Sequence, residues 1–76
     1  MSYREILFAK DDGIATITLN RPESMNSYTK VMTDEMMDAI AHVRKDRDIK
    51  VLVITGAGHV FCSGPDIKLF PSFLGV

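Results

Sequence analysis

A single cysteine, Cys62, occurs in the 76 residues. No disulfide can form within the chain, and a reducing, cytoplasmic setting is expected. An excess of charge is missing too. Nine basic residues against ten acidic leave a formal net charge of -1, which offers nothing to draw a nucleic acid or an anionic membrane. No apolar run is long enough to cross a bilayer. Met1-Ser2-Tyr3-Arg4-Glu5 has neither the apolar centre of a secretory signal nor the Arg/Ser-rich, acid-poor make-up of a transit peptide. No repeat, low-complexity tract or linker divides the sequence. His42 has no second His or Cys beside it at metal-ligand spacing, so no metal site is expected there. With 46% hydrophobic and 25% charged residues, the composition is that of one small globular unit. So short a chain buries a limited share of its surface and is marginal unless supported.

What is present is organised around residues 51–68. Val51, Leu52, Val53 and Ile54 form a continuous aliphatic run, which suits a strand buried on both faces in a parallel sheet. Thr55-Gly56-Ala57-Gly58 ends it, because glycine permits the positive φ of a sharp turn. Phe61 and Cys62 then read as a short return into apolar surroundings. Gly64 has no side chain to keep a ligand off the main chain. Asp66-Ile67-Lys68 reads as the opening of a helix. A glycine-bearing turn beside a helix start presents unpaired N–H groups, which suit a carbonyl oxygen or a phosphate.

Upstream, residues 3–9 and 14–19 are short runs rich in apolar and β-branched residues, separated by Lys10-Asp11-Asp12-Gly13. Asp-Gly in that place predicts a hairpin, with Asp11 and Asp12 as turn residues and not as a catalytic pair. Residues 20–27 form a loop. Pro22 holds Arg21 extended and ends the strand, and Asn26 or Ser27 is placed to cap the next helix. Met25 is expected to pack inward. Residues 28–45 carry helical spacing: Met32, Met36, Ile40 and Val43 share one stripe, with Met37 and Ala39 beside it. That stripe reads as core, and His42, off it, as a solvated residue. Arg44 and Lys45 suit the negative end of the helix. Residues 46–50 are a polar connector. Strand, helix, strand in this order implies a right-handed crossover between parallel strands.

Two chemistries suggested by isolated residues fail on spacing. Gly56 and Gly58 invite a dinucleotide site, but the third glycine of that fingerprint would fall on Phe61, and no Walker lysine pattern is present. Cys62 as a nucleophile needs a base or an electropositive setting. His59 is near it in sequence only, and beside Phe61 the thiol reads as a small apolar residue.

Thr55-Gly56-Ala57-Gly58 followed by Phe61-Cys62-Ser63-Gly64-Pro65-Asp66-Ile67-Lys68 resembles the signature of the enoyl-CoA hydratase/isomerase (crotonase) family. Ile17-Thr18-Leu19-Asn20-Arg21-Pro22, with Asn26 just after, is similar to that family's first block. The resemblance reaches to Lys68 and implies an α/β fold: a ββαβ first turn of a crotonase-like spiral, with residues 1–76 as the N-terminal fragment of an incomplete domain. It implies an acyl-CoA thioester substrate, with coenzyme A as part of the substrate and no separate cofactor. Full-length members form trimers or hexamers. Hydration of an enoyl-CoA is the first reading; double-bond isomerisation, or a non-catalytic CoA-binding or interaction module, is the alternative. In the family an enolate forms at the thioester carbonyl, and two backbone N–H groups hold its oxygen. Losing one such donor typically costs about two to three decades of rate. By motif, the first donor belongs to the residue after Gly64; the second, and the acid and base carboxylates of a hydratase, lie further along a full-length chain. Ser63, Gly64, Pro65, Asp66, Ile67 and Lys68 would border the thioester and nucleotide ends of CoA, with Lys68 as a point charge for a phosphate or simply a surface lysine. Arg21, Glu23 and Ser24 read either as connecting loop or as the CoA side of the pocket. Asp66 is expected to cap a helix.

This sequence departs from the family pattern where it matters most. The residue after Gly64 is Pro65, which has no N–H. Proline is comfortable at the first turn of a helix, so the fold need not suffer. Either a neighbouring donor such as the Asp66 N–H substitutes, or an oxyanion is held poorly. A single ββαβ turn should also leave an apolar face uncovered. We therefore expect the chain alone to self-associate or to be partly molten. Sharp, dispersed NMR signals from a dilute monomer would contradict that expectation.

Overall fold

The structure, a computed structural model, describes residues 2–66. Its first two elements follow from a two-residue turn. Asp12 and Gly13 both take left-handed backbone, at φ 50° and 79°, the geometry whose twist matches a tight hairpin. Strand β1 (Ile6–Asp11) therefore pairs antiparallel with β2 (Ile14–Leu19), from Asp11 opposite Ile14 to Ile6 opposite Leu19. The turn keeps Lys10 and Asp11 in the ladder, so β1 starts and ends later than its apolar residues suggested. Along β2, Ala15, Ile17 and Leu19 alternate onto one buried face.

Helix α1 (Lys30–Lys45) covers that face. Met32 and Ala39 are buried, and they close a core with Ile6, Ile17 and Leu19. Met36 and Ile40 pack at its margin. Met37, read as flanking the core, is 67% exposed. The cap is Thr29, whose Oγ1 accepts from the Met32 N–H at 3.1 Å, and not Asn26 or Ser27. The reason is that Asn26 is consumed elsewhere and Tyr28 is held in an extended bridge. His42 is exposed as expected, its ring set perpendicular to that of Phe8 with centroids 5.7 Å apart. The connector is tied to the hairpin: the Lys50 and Val51 N–H groups donate to the Gly13 carbonyl at 2.7 and 3.2 Å, and Lys10 pairs with Asp46 at 2.8 Å.

Strand β3 (Val51–Gly56) lies parallel to β2, from Val51 beside Ile14 to Gly56 beside Leu19, giving the order β1-β2-β3. It is not buried on both faces. Val51, Val53 and Ile54 are 51%, 41% and 38% exposed. The helix packs on β1 and β2, and among the described residues nothing pairs with the outer edge of β3. Phe61, expected in apolar surroundings, is also exposed, whereas Cys62 packs half-buried against the core.

Past the strands, the loop from Asn20 contains a short 3-10 turn (Pro22–Ser24). Met25 and Asn26 follow in left-handed backbone, at φ 53° and 55°. Met25 closes the 3-10 turn through its N–H to the Pro22 carbonyl and points outward, 58% exposed, not inward. Asn26 takes the interior place and is wholly buried. Its Oδ1 accepts from the Arg21 N–H at 2.8 Å. Its Nδ2 donates to the carbonyls of Ala57 at 2.8 Å and Val60 at 2.7 Å. One side chain thus satisfies main-chain groups of two loops.

Two outcomes follow. Asn26→Ala leaves the Arg21 N–H and two carbonyls without their partner, and should cost about 3 kcal/mol. The urea midpoint should fall with m unchanged; a loss under about 1 kcal/mol would contradict the clamp. The second concerns Tyr3, whose hydroxyl donates to Asp38 at 2.7 Å. Burial first, then that bond and the charges of Asp38 and Glu35, push its phenol from 10.0 up to about 12. A raised value means the contribution is complete below pH about 10 and lost as pH rises through about 12. Alkaline titration by NMR should show the Tyr3 ring ionising near 12 together with loosening of the helix from β1. Tyr3→Phe should remove that step.

Candidate functional site

The site begins where β2 and β3 end together. The Ala57 N–H still donates to the Leu19 carbonyl at 2.8 Å, after which Gly58 turns the chain at φ 79°. The returning loop crosses directly over Gly56. A Cβ there would lie 2.5 Å from the Phe61 carbonyl oxygen and 2.7 Å from that of Val60, so only glycine permits the crossing. Cys62 is then drawn to the core and Ser63 is exposed. Gly64 has φ 107°, which disfavours a side chain, and no atom lies within 4 Å of the place a Cβ would take. Its main chain is open on that side.

Tyr28 fixes the next step. Its N–H donates to the Gly64 carbonyl at 2.9 Å, and its carbonyl accepts the Asp66 N–H at 2.9 Å, forming a parallel bridge between Tyr28 and Pro65. In this pattern the bonds flank Pro65, and the nitrogen and carbonyl of Pro65 itself face away from Tyr28. Position 65 is thus where an outward, unpaired N–H would stand, and proline removes it. The substitute considered from sequence fails as well, because the Asp66 N–H is committed to Tyr28. Among the described residues, the N–H groups of Ser63 and Gly64 have no acceptor.

The first block reaches the same place. The Arg21 side chain is mostly buried, and its Nη2 lies 3.2 Å from Asp66 Oδ2 and 3.5 Å from Ser24 Oγ. Its Nη1 donates to the Ser27 carbonyl at 2.6 Å and to Ser27 Oγ at 3.1 Å. Glu5 Oε1 stands 3.9 Å from Nε. Arg21, Ser24 and Asp66 are therefore together, while Glu23 is exposed on the 3-10 turn. Ile67 and Lys68 lie outside the described residues, as does the helix expected to open at Asp66.

Beside this turn runs a cleft of about 540 Å³, lined by Tyr28, Met32, Met36, Ile54, Phe61 and Cys62 among others. Almost all of its lining is apolar, so it suits hydrocarbon better than water. Sequence reasoning missed Tyr28, taken as the first helical residue, and the part of the methionine stripe that faces the cleft. It also missed the double reach of Asn26. A buried Asn in a loop has no local signature; only the motif of which it forms part singled it out. Among the described residues no cluster could hold a metal ion, and no helix is long and apolar enough to cross a membrane.

Known proteins share this arrangement. The sequence model of the family described as enoyl-CoA hydratase/isomerase matches residues 9–71. A trans-2-decenoyl-acyl-carrier-protein isomerase of Streptococcus mutans is 40% identical over 67 residues, 88% of this chain and 26% of that protein. An enoyl-CoA hydratase structure from Mycobacterium tuberculosis superposes with a TM-score of 0.86 at 38% identity, covering 90% of this chain and 31% of that one. An enoyl-CoA hydratase/isomerase structure from Xanthobacter autotrophicus gives 0.86 at 39%, covering 88% and 25%. The chain spans about a quarter of the length of the curated relative, and its ββαβ unit is part of the crotonase fold, an incomplete domain. With both sequence blocks meeting at one turn and the match extending over most of its length, the chain belongs to the enoyl-CoA hydratase/isomerase family.

Proposed function

We propose that residues 63–66 form the seat for the carbonyl of an enoyl thioester, and that the protein hydrates an enoyl-CoA. The observation that carries this reading is the open main chain at Gly64, pinned on both sides by Tyr28 and bordered by an apolar cleft. A thioester needs both features. Its acyl chain seeks apolar surroundings, and its carbonyl oxygen needs N–H groups that gain strength as enolate charge develops. Hydration then requires an acid and a base to deliver water across the double bond. In the family these are carboxylates beyond the matched region, as is the second oxyanion donor. The chain by itself supplies the binding half of such a pocket.

The second reading is double-bond isomerisation. It is supported by the Streptococcus mutans relative, whose name is that of an isomerase acting on a decenoyl thioester. Isomerisation places the same demand on the thioester oxygen but reaches a dienolate by removing a proton from the acyl chain, returns a proton to a different carbon and adds no water, so it asks less of the missing groups. A third reading, a module that binds CoA without turnover, draws on Pro65, which takes a donor from the oxyanion position. Homo-oligomers, trimers or hexamers, belong to the first two readings in the full-length form.

Titrating the chain with CoA and with crotonyl-CoA, and assaying both hydration and isomerisation, tests these readings. Binding of crotonyl-CoA above CoA supports the thioester seat; equal or absent binding removes it. Turnover by the chain refutes the non-catalytic reading. Pro65→Ala restores an N–H at the outward position, and any turnover should then rise by about two decades. An active parent left unchanged by Pro65→Ala would show that position 65 is not an oxyanion position.

A further inference from the structure

The guanidinium of Arg21 sits beside the proposed thioester seat, where a cation invites assignment to a CoA phosphate. Its donors say otherwise. Arginine offers five N–H groups in a fixed fork. The two on Nη1 go to the Ser27 carbonyl at 2.6 Å and Ser27 Oγ at 3.1 Å. The two on Nη2 go to Asp66 Oδ2 at 3.2 Å and Ser24 Oγ at 3.5 Å. The fifth, on Nε, faces Glu5 Oε1 at 3.9 Å. The four donors on Nη1 and Nη2 are thus taken up within the protein, and the fifth faces a carboxylate beyond hydrogen-bond distance. One cation also lies between two carboxylates, Glu5 and Asp66, so the cluster as a whole is not an attractive place for a phosphate. The side chains of Arg21 and Asp66 are each only 15% exposed, which places their pairing largely out of solvent screening.

We infer that Arg21 is a positioning residue: it holds the turn at 63–66 through Asp66 and does not bind the ligand. The chain of contacts is short. Arg21 holds the Asp66 carboxylate, and the Asp66 N–H holds the Tyr28 carbonyl. The Tyr28 N–H holds the Gly64 carbonyl, and the open face of residues 64 and 65 is suspended between those two bonds. The other end of the arrangement is anchored by the same carboxylate that faces Arg21: Glu5 Oε1 accepts the hydroxyl of Thr29, the cap of α1 and the neighbour of Tyr28. Arg21 and Glu5 thereby fix the bridge from both of its strands. The function assigned to the turn rests on the thioester reading above; the anchoring itself does not.

The test compares the parent with Arg21→Gln, Arg21→Lys, Asp66→Asn and the Arg21→Gln/Asp66→Asn double variant. Amide hydrogen exchange at Tyr28 and Asp66 reads the bridge, and crotonyl-CoA titration at two salt concentrations reads the seat. Arg21→Gln and Asp66→Asn should each speed exchange of the Asp66 amide by about tenfold. The double variant should be no faster than Arg21→Gln alone, because the Arg21–Asp66 pair is already absent there. Arg21→Lys, with a point charge in place of the fork, should recover only part of the protection. Both single variants should weaken crotonyl-CoA by similar factors and leave its salt dependence unchanged. The inference is overturned if Arg21→Gln weakens binding and flattens the salt dependence while Asp66→Asn does neither, which is the behaviour of a phosphate ligand. It is overturned equally if the bridge amides exchange alike in parent and variants. If Arg21→Gln fails to fold, Asp66→Asn and Arg21→Lys decide on the same two readouts. If the parent binds no crotonyl-CoA, the thioester reading falls, and the exchange rates alone decide whether Arg21 anchors the turn.

Discussion

Two parallel strands that end side by side create a problem of unpaired main chain. Leu19 lies beside Gly56 at the end of the ladder, and beyond them both chains leave as loops. Buried N–H and C=O groups in those loops need partners that no strand supplies. The structure meets this with side chains that imitate backbone. Asn26 accepts one N–H and donates to two carbonyls. Arg21 gathers Ser27, Ser24 and Asp66. Tyr28 contributes its main chain as a one-residue strand against Pro65. Everything at the candidate site depends on this satisfaction of loop backbone, because the turn at 63–66 has no regular element of its own to hold it in place. Among the described residues the core cluster beneath is small, five buried side chains from β1, β2 and α1, and stops short of the turn.

The same constraint explains why Pro65 is tolerated. A proline within a sheet normally removes a ladder bond. Here the bridge is made by the neighbours, through the Gly64 carbonyl and the Asp66 N–H, so Pro65 takes nothing from the fold. What it removes is the outward N–H, which in the family reading belongs to the ligand. A substitution can thus be silent for folding and costly for an oxyanion, because the two tasks use opposite sides of one residue's backbone. The committed Asp66 N–H cannot serve both sides either.

Local features of the chain were legible from sequence, and features set by distant partners were not. Asp12-Gly13 specifies its hairpin because both left-handed positions lie within two residues. The helix and the parallel placement of β3 follow from period and order. Thr29 as cap was not legible, since Asn26, Ser27 and Thr29 are all competent and the choice is made by who else needs each side chain. Asn26 is spoken for by carbonyls 31 and 34 residues away. Exposure of β3 was not legible for a different reason. An aliphatic run reads the same whatever lies on its second edge, and here, among the described residues, β2 alone pairs with it. At the site, the two family blocks were legible as motifs, but their physical link, Arg21 to Asp66 across 45 positions, was not.

These points bear on what kind of pocket the turn can serve. In the proposed reading, an open main chain beside an apolar cleft gives a seat whose geometry is set by the fold and whose contacts to the carbonyl come from backbone. Such a seat discriminates by shape and by carbonyl placement, and leaves proton transfer to groups brought by other elements. That division accommodates the hydration and isomerisation readings alike. Hydration would form its enolate by adding water across the double bond and isomerisation a dienolate by removing a proton, so the two differ in their acid and base groups and not in what the thioester oxygen needs. The residues that decide between them are therefore not expected at the turn. In the proposed reading the turn supplies one of the donors that stabilise an enolate, and in this chain that proposal turns on the nitrogen of residue 65, which in proline carries no hydrogen.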